Sequence, residues 1–370
     1  MMAALRVEDD LEQKIVDSAE APLTGENTVS LTVARVRRNR RTIRHRPCRR
    51  RRLPASGRAW NDRLPAEGRR FTTGESSVRL ELSTFIDPAL AEHVEEARQE
   101  NARRGIRRGP GSLAELWEIR RGADRLPDST LVEAGGRQVP VRLHLPCAVP
   151  RGVHLDFHGG GFYLGRTAQD DVRNQRLADA LGIVVVSVDH RLAPEHPWPA
   201  APDDAETAAL WLLGEERFNA LKLTIGGFSA GATLAVTTLL RLKERGAADR
   251  FAGAALQFGT YDLSGLTPAG RLIADEYFIQ AYAGHAPDRT VPDISPVFGD
   301  LRGLPPLLVV VGALDVLLED NLAMAARAAA VGEVDLRVYP ESRHGFTNRD
   351  TGMARAARHD VERWLADRLS

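Results

Sequence analysis

The sequence predicts an α/β fold: a mostly parallel central sheet with helices on both faces. Three observations carry that prediction. From about Thr130 onward, short β-branched or apolar runs alternate with stretches of helical character, and such alternation implies parallel pairing through helical crossovers. Several of the runs are apolar throughout, as Ile-Val-Val-Val is at 183–186, which suits strands buried on both faces. With 370 residues the chain is long enough for one large domain or two medium ones, and a core of that size needs no staples.

In chain order, the strands are expected at 139–145, 153–157, 183–188, 221–225, 254–258, 307–311 and 334–339. Helices are expected at 169–181, 203–213, 230–243, 319–331 and 355–369, so most strands are separated by a helix. Two segments interrupt this rhythm. Residues 78–125 read as helices at 88–102 and 113–120 placed before the first strand, and residues 262–293 hold a further helix at 269–282 between two strands. Both are expected to pack over the end of the sheet as a helical cap. No internal repeat is present.

The formal net charge of zero hides an asymmetry. Residues 1–70 hold 17 Lys+Arg against 9 Asp+Glu, a net +8, which leaves −8 on residues 71–370. Eleven arginines fall between Arg35 and Arg52 with almost nothing apolar to bury, so residues 1–77 are expected to be a basic, unfolded extension and residues 78–370 the folded domain. Clustered arginines also suit phosphate binding. The stretch lacks interleaved aromatic residues for stacking and a surrounding binding fold, so no nucleic-acid partner is expected. There is no apolar run long enough to span a membrane, and the N-terminus lacks the apolar core of a secretion signal. The two cysteines, Cys48 and Cys147, suggest neither a disulfide nor a metal cluster, in keeping with a reducing cytoplasm.

Two motifs carry chemistry. At 224–236, Thr-Ile-Gly-Gly-Phe-Ser-Ala-Gly-Ala-Thr-Leu-Ala-Val runs from an apolar strand into a helical stretch through Gly-x-Ser-x-Gly. Gly227 and Gly231, two residues either side of Ser229, fit a sharp strand-to-helix turn in which a larger side chain would collide with backbone. Such a turn strains the serine by roughly 1–3 kcal/mol and lifts its hydroxyl out of the sheet. The same five-residue pattern also arises in glycine- and serine-containing loops. At 155–165, Leu-Asp-Phe-His-Gly-Gly-Gly-Phe-Tyr-Leu-Gly again follows a strand, and three successive glycines leave the backbone free to turn its N–H groups toward one anionic oxygen. Tight packing or a phosphate cradle are the alternatives, but neither phosphate-loop spacing is present.

Read together, HGGGFYLG, DHRLAPEHPWPAAPDD at 189–204, GFSAG, LPPLLVVVGALDVLLED at 304–320 and SRHGF at 342–346 resemble the hormone-sensitive-lipase family of α/β-hydrolases, the bacterial family IV carboxylesterases. The resemblance runs from about residue 80 to the end. It implies an α/β-hydrolase fold with a helical cap and a triad in the order Ser, Asp, His: Ser229 as nucleophile, Asp315 just beyond an apolar strand, and His344 after the last strand. Glu319 and Asp320 are the nearby alternatives to Asp315, and His285 and His359 those to His344. By the same resemblance, the N–H groups of Gly160, Gly161 and Ala230 form the oxyanion hole. His158 organises the glycine loop, and Asp189, Arg191 and Glu195 form a buried polar network that braces it.

The chain departs from the family at Phe228, where Asp or Thr is usual, and at His190 and Pro202, where Tyr and Leu are more usual. The implied activity is hydrolysis of carboxylic esters with small to medium acyl chains, with no cofactor and no metal, the partner being a small-molecule ester. A ligand-binding protein on the same scaffold, like the plant gibberellin receptors that lack the catalytic histidine, is the rival from another class. His344 speaks against it. Cleavage of a lactone, an amide or an acetylated natural product stays open, as does the oligomeric state.

Overall fold

The computed structural model describes residues 82–104, 109–121 and 129–370. The basic segment 1–77 and its reading as an unfolded extension lie outside the described residues. Eight strands form one sheet in the order β1-β2-β4-β3-β5-β6-β7-β8. They are β1 (Thr130–Ala134), β2 (Arg137–His144), β3 (Gly152–Phe157), β4 (Val184–Val188), β5 (Lys222–Phe228), β6 (Phe251–Gln257), β7 (Leu307–Gly312) and β8 (Val334–Tyr339). The pairs β1/β2 and β2/β4 are antiparallel, and every pair from β4 across to β8 is parallel.

β1 is the strand that the sequence pattern did not announce. Only Val132 of its five residues is buried, so it carries almost no apolar signal. What makes it a strand is the turn: Gly135 and Gly136 both take positive φ (59° and 73°), the backbone of a two-residue hairpin that folds β1 onto β2.

The central strands sort their side chains by alternation. On β3, Val153, Leu155 and Phe157 enter the main core with residues of α4 (Ala200–Gly214) and α5 (Ala230–Glu244). His154 and Asp156 alternate with them and face the opposite layer, where they line a small cavity with Arg173 and Leu177 of α3 (Asp171–Leu181) and Arg358 and Leu365 of α9 (Gly352–Leu369). Helix α8 (Leu318–Ala329) brings Met324 and Ala328 into the main core. Helices therefore cover both faces.

The two interrupting segments fold differently from their sequence pattern in detail. The helix expected at 88–102 begins as a 3₁₀ turn, Pro88–His93, capped by Asp87, and becomes α1 only at Val94–Arg104; α2 follows at Leu113–Arg120. The single helix expected at 269–282 is two short ones, α6 (Pro268–Arg271) and α7 (Tyr277–Ala283). Asp262 anchors the start of the first. Its carboxylate accepts from the Thr267 amide and hydroxyl, and Gly270 packs so tightly on it that a Cβ there would lie 2.2 Å from Oδ2. That side-chain anchor fixes the N-terminal end of α6. Among the described residues no helix is long and apolar enough to cross a membrane.

Candidate active site

Ser229 sits between the end of β5 and the start of α5 with φ 54° and ψ −124°, a backbone conformation an L-residue holds only when its surroundings impose it. Two backbone bonds do so: the Ser229 amide donates to Gln257 O on β6 at 2.9 Å, and its carbonyl accepts from the Ala232 amide at 3.0 Å. The flanking glycines are dictated by close approach. A Cβ on Gly227 would lie 2.4 Å from Phe157 O, and one on Gly231 would lie 2.0 Å from the same oxygen and 2.7 Å from His158 O. The elbow therefore presses directly against the backbone of the glycine loop. Ser229 also occupies the N-terminal cap position of α5, where the helix's first amides give a positive local potential.

Three side chains meet there. His344 Nε2 is 2.9 Å from Ser229 Oγ, and its Nδ1 is 3.0 and 3.1 Å from the two carboxylate oxygens of Asp315. Asp315 follows β7, its side chain is fully buried, and one of its oxygens also accepts from the Leu317 amide at 2.9 Å. His344 follows β8 in a turn opened by Glu341 at φ 50°, and Asn101 on α1 donates to the Glu341 carbonyl at 2.8 Å.

The rival residues are engaged elsewhere. Asp320 accepts from the Tyr261 and Asp262 amides, its carboxyl pushed up to about 6 by burial. Glu319 is exposed on α8 and His359 on α9, while His285 lies beside Trp198 at 6.3 Å between ring centroids.

Phe258, which sequence reasoning passed over, packs edge-on against His344 with ring centroids 5.1 Å apart. Its own φ of 38° is held by a 2.7 Å bond from its amide to Val310 O.

The glycine loop leaves β3 and turns back on itself. Gly160 (φ 118°) and Gly161 (φ 59°) occupy backbone regions that favour glycine, and the Gly160 carbonyl accepts from both the Tyr163 amide at 3.1 Å and the Leu164 amide at 2.8 Å. The amides of Gly160, Gly161 and Ala230 donate to no protein acceptor among the described residues. Beneath the loop, His158 stacks on His190 at 4.2 Å with an interplanar angle of 12°. Burial drives both imidazoles down, His158 to about 4 and His190 to about 3, so both rings are neutral at pH 7. Each Nδ1–H donates to a backbone carbonyl, Gly159 O at 2.8 Å and Arg191 O at 3.1 Å, and these bonds fix the tautomer. Phe228 packs under Gly159, with the Arg173 guanidinium 4.5 Å above its ring centroid. An aromatic ring and a cation thus fill the place behind the elbow.

The expected buried network of Asp189, Arg191 and Glu195 is not formed. Each residue has a partner of its own. Arg191 forks onto Asp204 of α4 at 2.8–3.0 Å, Asp189 accepts from the Thr167 amide at 3.4 Å, and Glu195 pairs with Arg120 at 2.6 and 2.7 Å. Arg191 and Glu195 are about two-fifths exposed at their side chains. Charged groups in a loop pair with the nearest opposite charge, and here those charges, Asp204 on α4 and Arg120 on α2, lie on two different elements. The residue that does brace the glycine loop is Arg120, on α2, which donates to the carbonyls of Tyr163 and Ala193. Nothing in its sequence neighbourhood distinguishes it from any other helix-ending arginine.

Comparison with known proteins identifies the family. The family model described as the alpha/beta hydrolase fold matches residues 154–348, more than half of the chain and a span that includes Ser229, Asp315 and His344. The chain belongs to the alpha/beta-hydrolase family. Within it, the chain falls among the hormone-sensitive-lipase-like bacterial esterases. It is 32% identical over 245 residues to an ethyl acetate hydrolase of Pseudomonas putida, covering 60% of this chain and 76% of that protein. It is 29% identical over 296 residues to a carboxylesterase of Mycobacterium tuberculosis, covering 73% and 88% respectively. A solved hormone-sensitive lipase from a metagenome library superposes with a TM-score of 0.60 at 29% identity, over 77% of this chain and 99% of that one. Together these relatives make the alpha/beta-hydrolase assignment specific to its esterase branch.

Proposed function

We propose that this chain hydrolyses carboxylic esters of small to medium acyl chain through an acyl-enzyme formed on Ser229. Carboxylic ester hydrolysis goes with the family and with its named relatives. The observation that carries the mechanism is the alignment of Ser229 Oγ, His344 and Asp315 in one hydrogen-bonded line. His344 takes the serine proton as Oγ attacks the ester carbonyl, then gives it to the departing alcohol, and the same residues activate water for deacylation. Asp315 holds Nδ1 protonated, which leaves Nε2 free to act as base, and it stabilises the imidazolium. Gly160, Gly161 and Ala230 supply the N–H groups for the oxyanion; each such donor lowers the barrier by roughly 2.7–4 kcal/mol. The chemistry calls for no cofactor.

The helices of residues 88–120 and 268–283 cap the cleft. Phe278 on α7 supports this placement: its Cβ lies 3.1 Å from where a Cβ on Gly161 would be, and it packs against the cluster of Ile273, Ile279 and Leu317, the last of these two residues beyond Asp315. An aromatic wall between the oxyanion loop and the acid loop favours short acyl chains. The test is a p-nitrophenyl ester series from acetate to palmitate, run beside Ser229→Ala and a fluorophosphonate probe. Activity should peak at the short esters and vanish in Ser229→Ala, with the probe adduct on Ser229. Turnover that persists in Ser229→Ala, or an adduct elsewhere, removes the nucleophile assignment.

A further inference from the structure

Arg120 takes no part in the chemistry just described, yet its guanidinium is committed to the loop that holds the oxyanion donors. Its side chain is 12% exposed. Nε donates to the Tyr163 carbonyl at 2.9 Å, one terminal nitrogen donates to that same carbonyl and to Ala193 O, and the other bonds both oxygens of Glu195. Tyr163 is tied to the capping segments in other ways too. Its hydroxyl meets Pro110 O at 3.4 Å, a Cβ on Gly109 would lie 2.3 Å from that hydroxyl, and its ring centroid is 6.2 Å from both Tyr277 and Phe278 of α7. Both capping segments converge on this one residue.

Beyond Tyr163 the hydrogen bonds run in one direction. The Tyr163 carbonyl shares a peptide unit with the Leu164 amide, which donates to Gly160 O at 2.8 Å. The Gly160 carbonyl in turn shares a peptide unit with the Gly161 amide. In a planar trans peptide the C=O and N–H point in opposite directions, so fixing the Gly160 carbonyl fixes the direction of the Gly161 N–H. The guanidinium and the two peptide units stand head to tail, each bond polarising the next.

We propose that Arg120 is a positioning residue: it latches the cap onto the glycine loop and, through the Tyr163–Leu164 and Gly160–Gly161 peptides, sets the aim and strength of the Gly161 donor. Cap docking and oxyanion stabilisation are then coupled, and acylation is fast only when the cap is seated. This rests on the oxyanion role of Gly161 proposed above.

The test uses Arg120→Met, Arg120→Lys and Glu195→Gln in the full chain with p-nitrophenyl butyrate. Active sites are counted by fluorophosphonate labelling taken to completion, and affinity for a trifluoromethyl ketone, whose adduct carries the oxyanion, is measured alongside. Removing an oxyanion donor outright costs about 10²–10³ in kcat, so a misdirected one in Arg120→Met should cost about 10–100-fold per titrated site. KM should stay within about twofold while ketone affinity falls in step with kcat, since the lost interaction is made only in the transition state. Arg120→Lys, which keeps the charge but loses the fork, should fall between the two, about 3–10-fold down. Glu195→Gln leaves the Tyr163 bonds in place and should stay within about threefold, because the Glu195 side chain is 39% exposed and its amide can still accept from Arg120.

A merely structural role would lower the fraction of titratable sites and the melting temperature, with kcat per site and ketone affinity unchanged; that result overturns the proposal. If Arg120→Met does not fold, Arg120→Lys decides alone, and wild-type kcat per site with wild-type ketone affinity sinks the latch. Turnover surviving in Ser229→Ala would instead sink the underlying mechanism, and the two failures are read in separate assays.

Discussion

Gly231→Ala adds one methyl group at one of the two tightest backbone contacts in the site. The new Cβ would lie 2.0 Å from Phe157 O, 2.6 Å from Phe157 C and 2.7 Å from His158 O, where ordinary contact begins at 3.4 Å. Three backbone atoms of the adjoining strand end must therefore move away, by about 1.4 Å for the closest. No flexible side chain can yield instead. That movement separates Ser229 from the glycine loop, and misplacement by about 1 Å can cost 10²-fold in rate. Overpacking of this kind typically removes about 1–3 kcal/mol of stability. For a domain of this size or somewhat smaller, that is a fall of about 2–4 °C in Tm per kcal/mol.

The assay is kcat per titrated site on a short p-nitrophenyl ester, with Tm by calorimetry, and Gly246→Ala serves as the control. Gly246 has φ 68° and nothing within 4 Å of an added Cβ, so it carries backbone strain without collision. Its variant should lose about 1–2 kcal/mol and no activity. If Gly231→Ala matches wild type in both kcat and Tm, the claim that elbow and glycine loop are locked backbone to backbone is wrong.

Two further outcomes follow from the geometry. Asp315→Asn should keep the fold but cut kcat by about 10⁴, because an amide cannot hold His344 in the tautomer that leaves Nε2 unprotonated; near-normal turnover would return Glu319 or Asp320 to consideration. Stability should fall as pH drops from 6.5 towards 4.5. Buried His154 and His158 are held near 4 and His190 near 3, so the unfolded chain takes up protons that these rings refuse, each removing about 1.4 kcal/mol per pH unit above its own folded value. Asp170 and Asp320, raised by burial to about 6, act with the opposite sign between 6 and 4 because the folded chain protonates them first. Three groups against two leaves a net loss on acidification, and Asp320→Asn should steepen it. A Tm that stays flat or rises towards acid contradicts neutral burial of the histidines.

What was legible in the sequence is what the local chemistry forces. A sharp strand-to-helix turn needs small residues at 227 and 231, a loop that frees its amides needs glycine at 160 and 161, and doubly buried strands need runs such as 183–186. The order in which Ser229, Asp315 and His344 appear could then be matched to a known pattern. The features that escaped depend on contacts distant in sequence. Arg120 acts on carbonyls 43 and 73 residues away, with nothing nearby to mark it. The pairing of Arg191 with Asp204, and not with Asp189, is a choice among several carboxylates that only the fold makes. The anchoring of the start of α6 by Asp262 likewise spans a loop with no local signal. β1 went unseen because one buried valine is no pattern.

The end of β6 donates no group to the reaction, yet Gln257 holds the Ser229 amide and Phe258 holds the His344 ring. These two neighbours act as a gauge block between nucleophile and base. A library meant to broaden substrate range can vary the aromatic wall at will, but should spare Phe258, since the Gln257 contact is a backbone carbonyl that any residue supplies. Changes there would detune every substrate alike, and selection on any one ester would discard them.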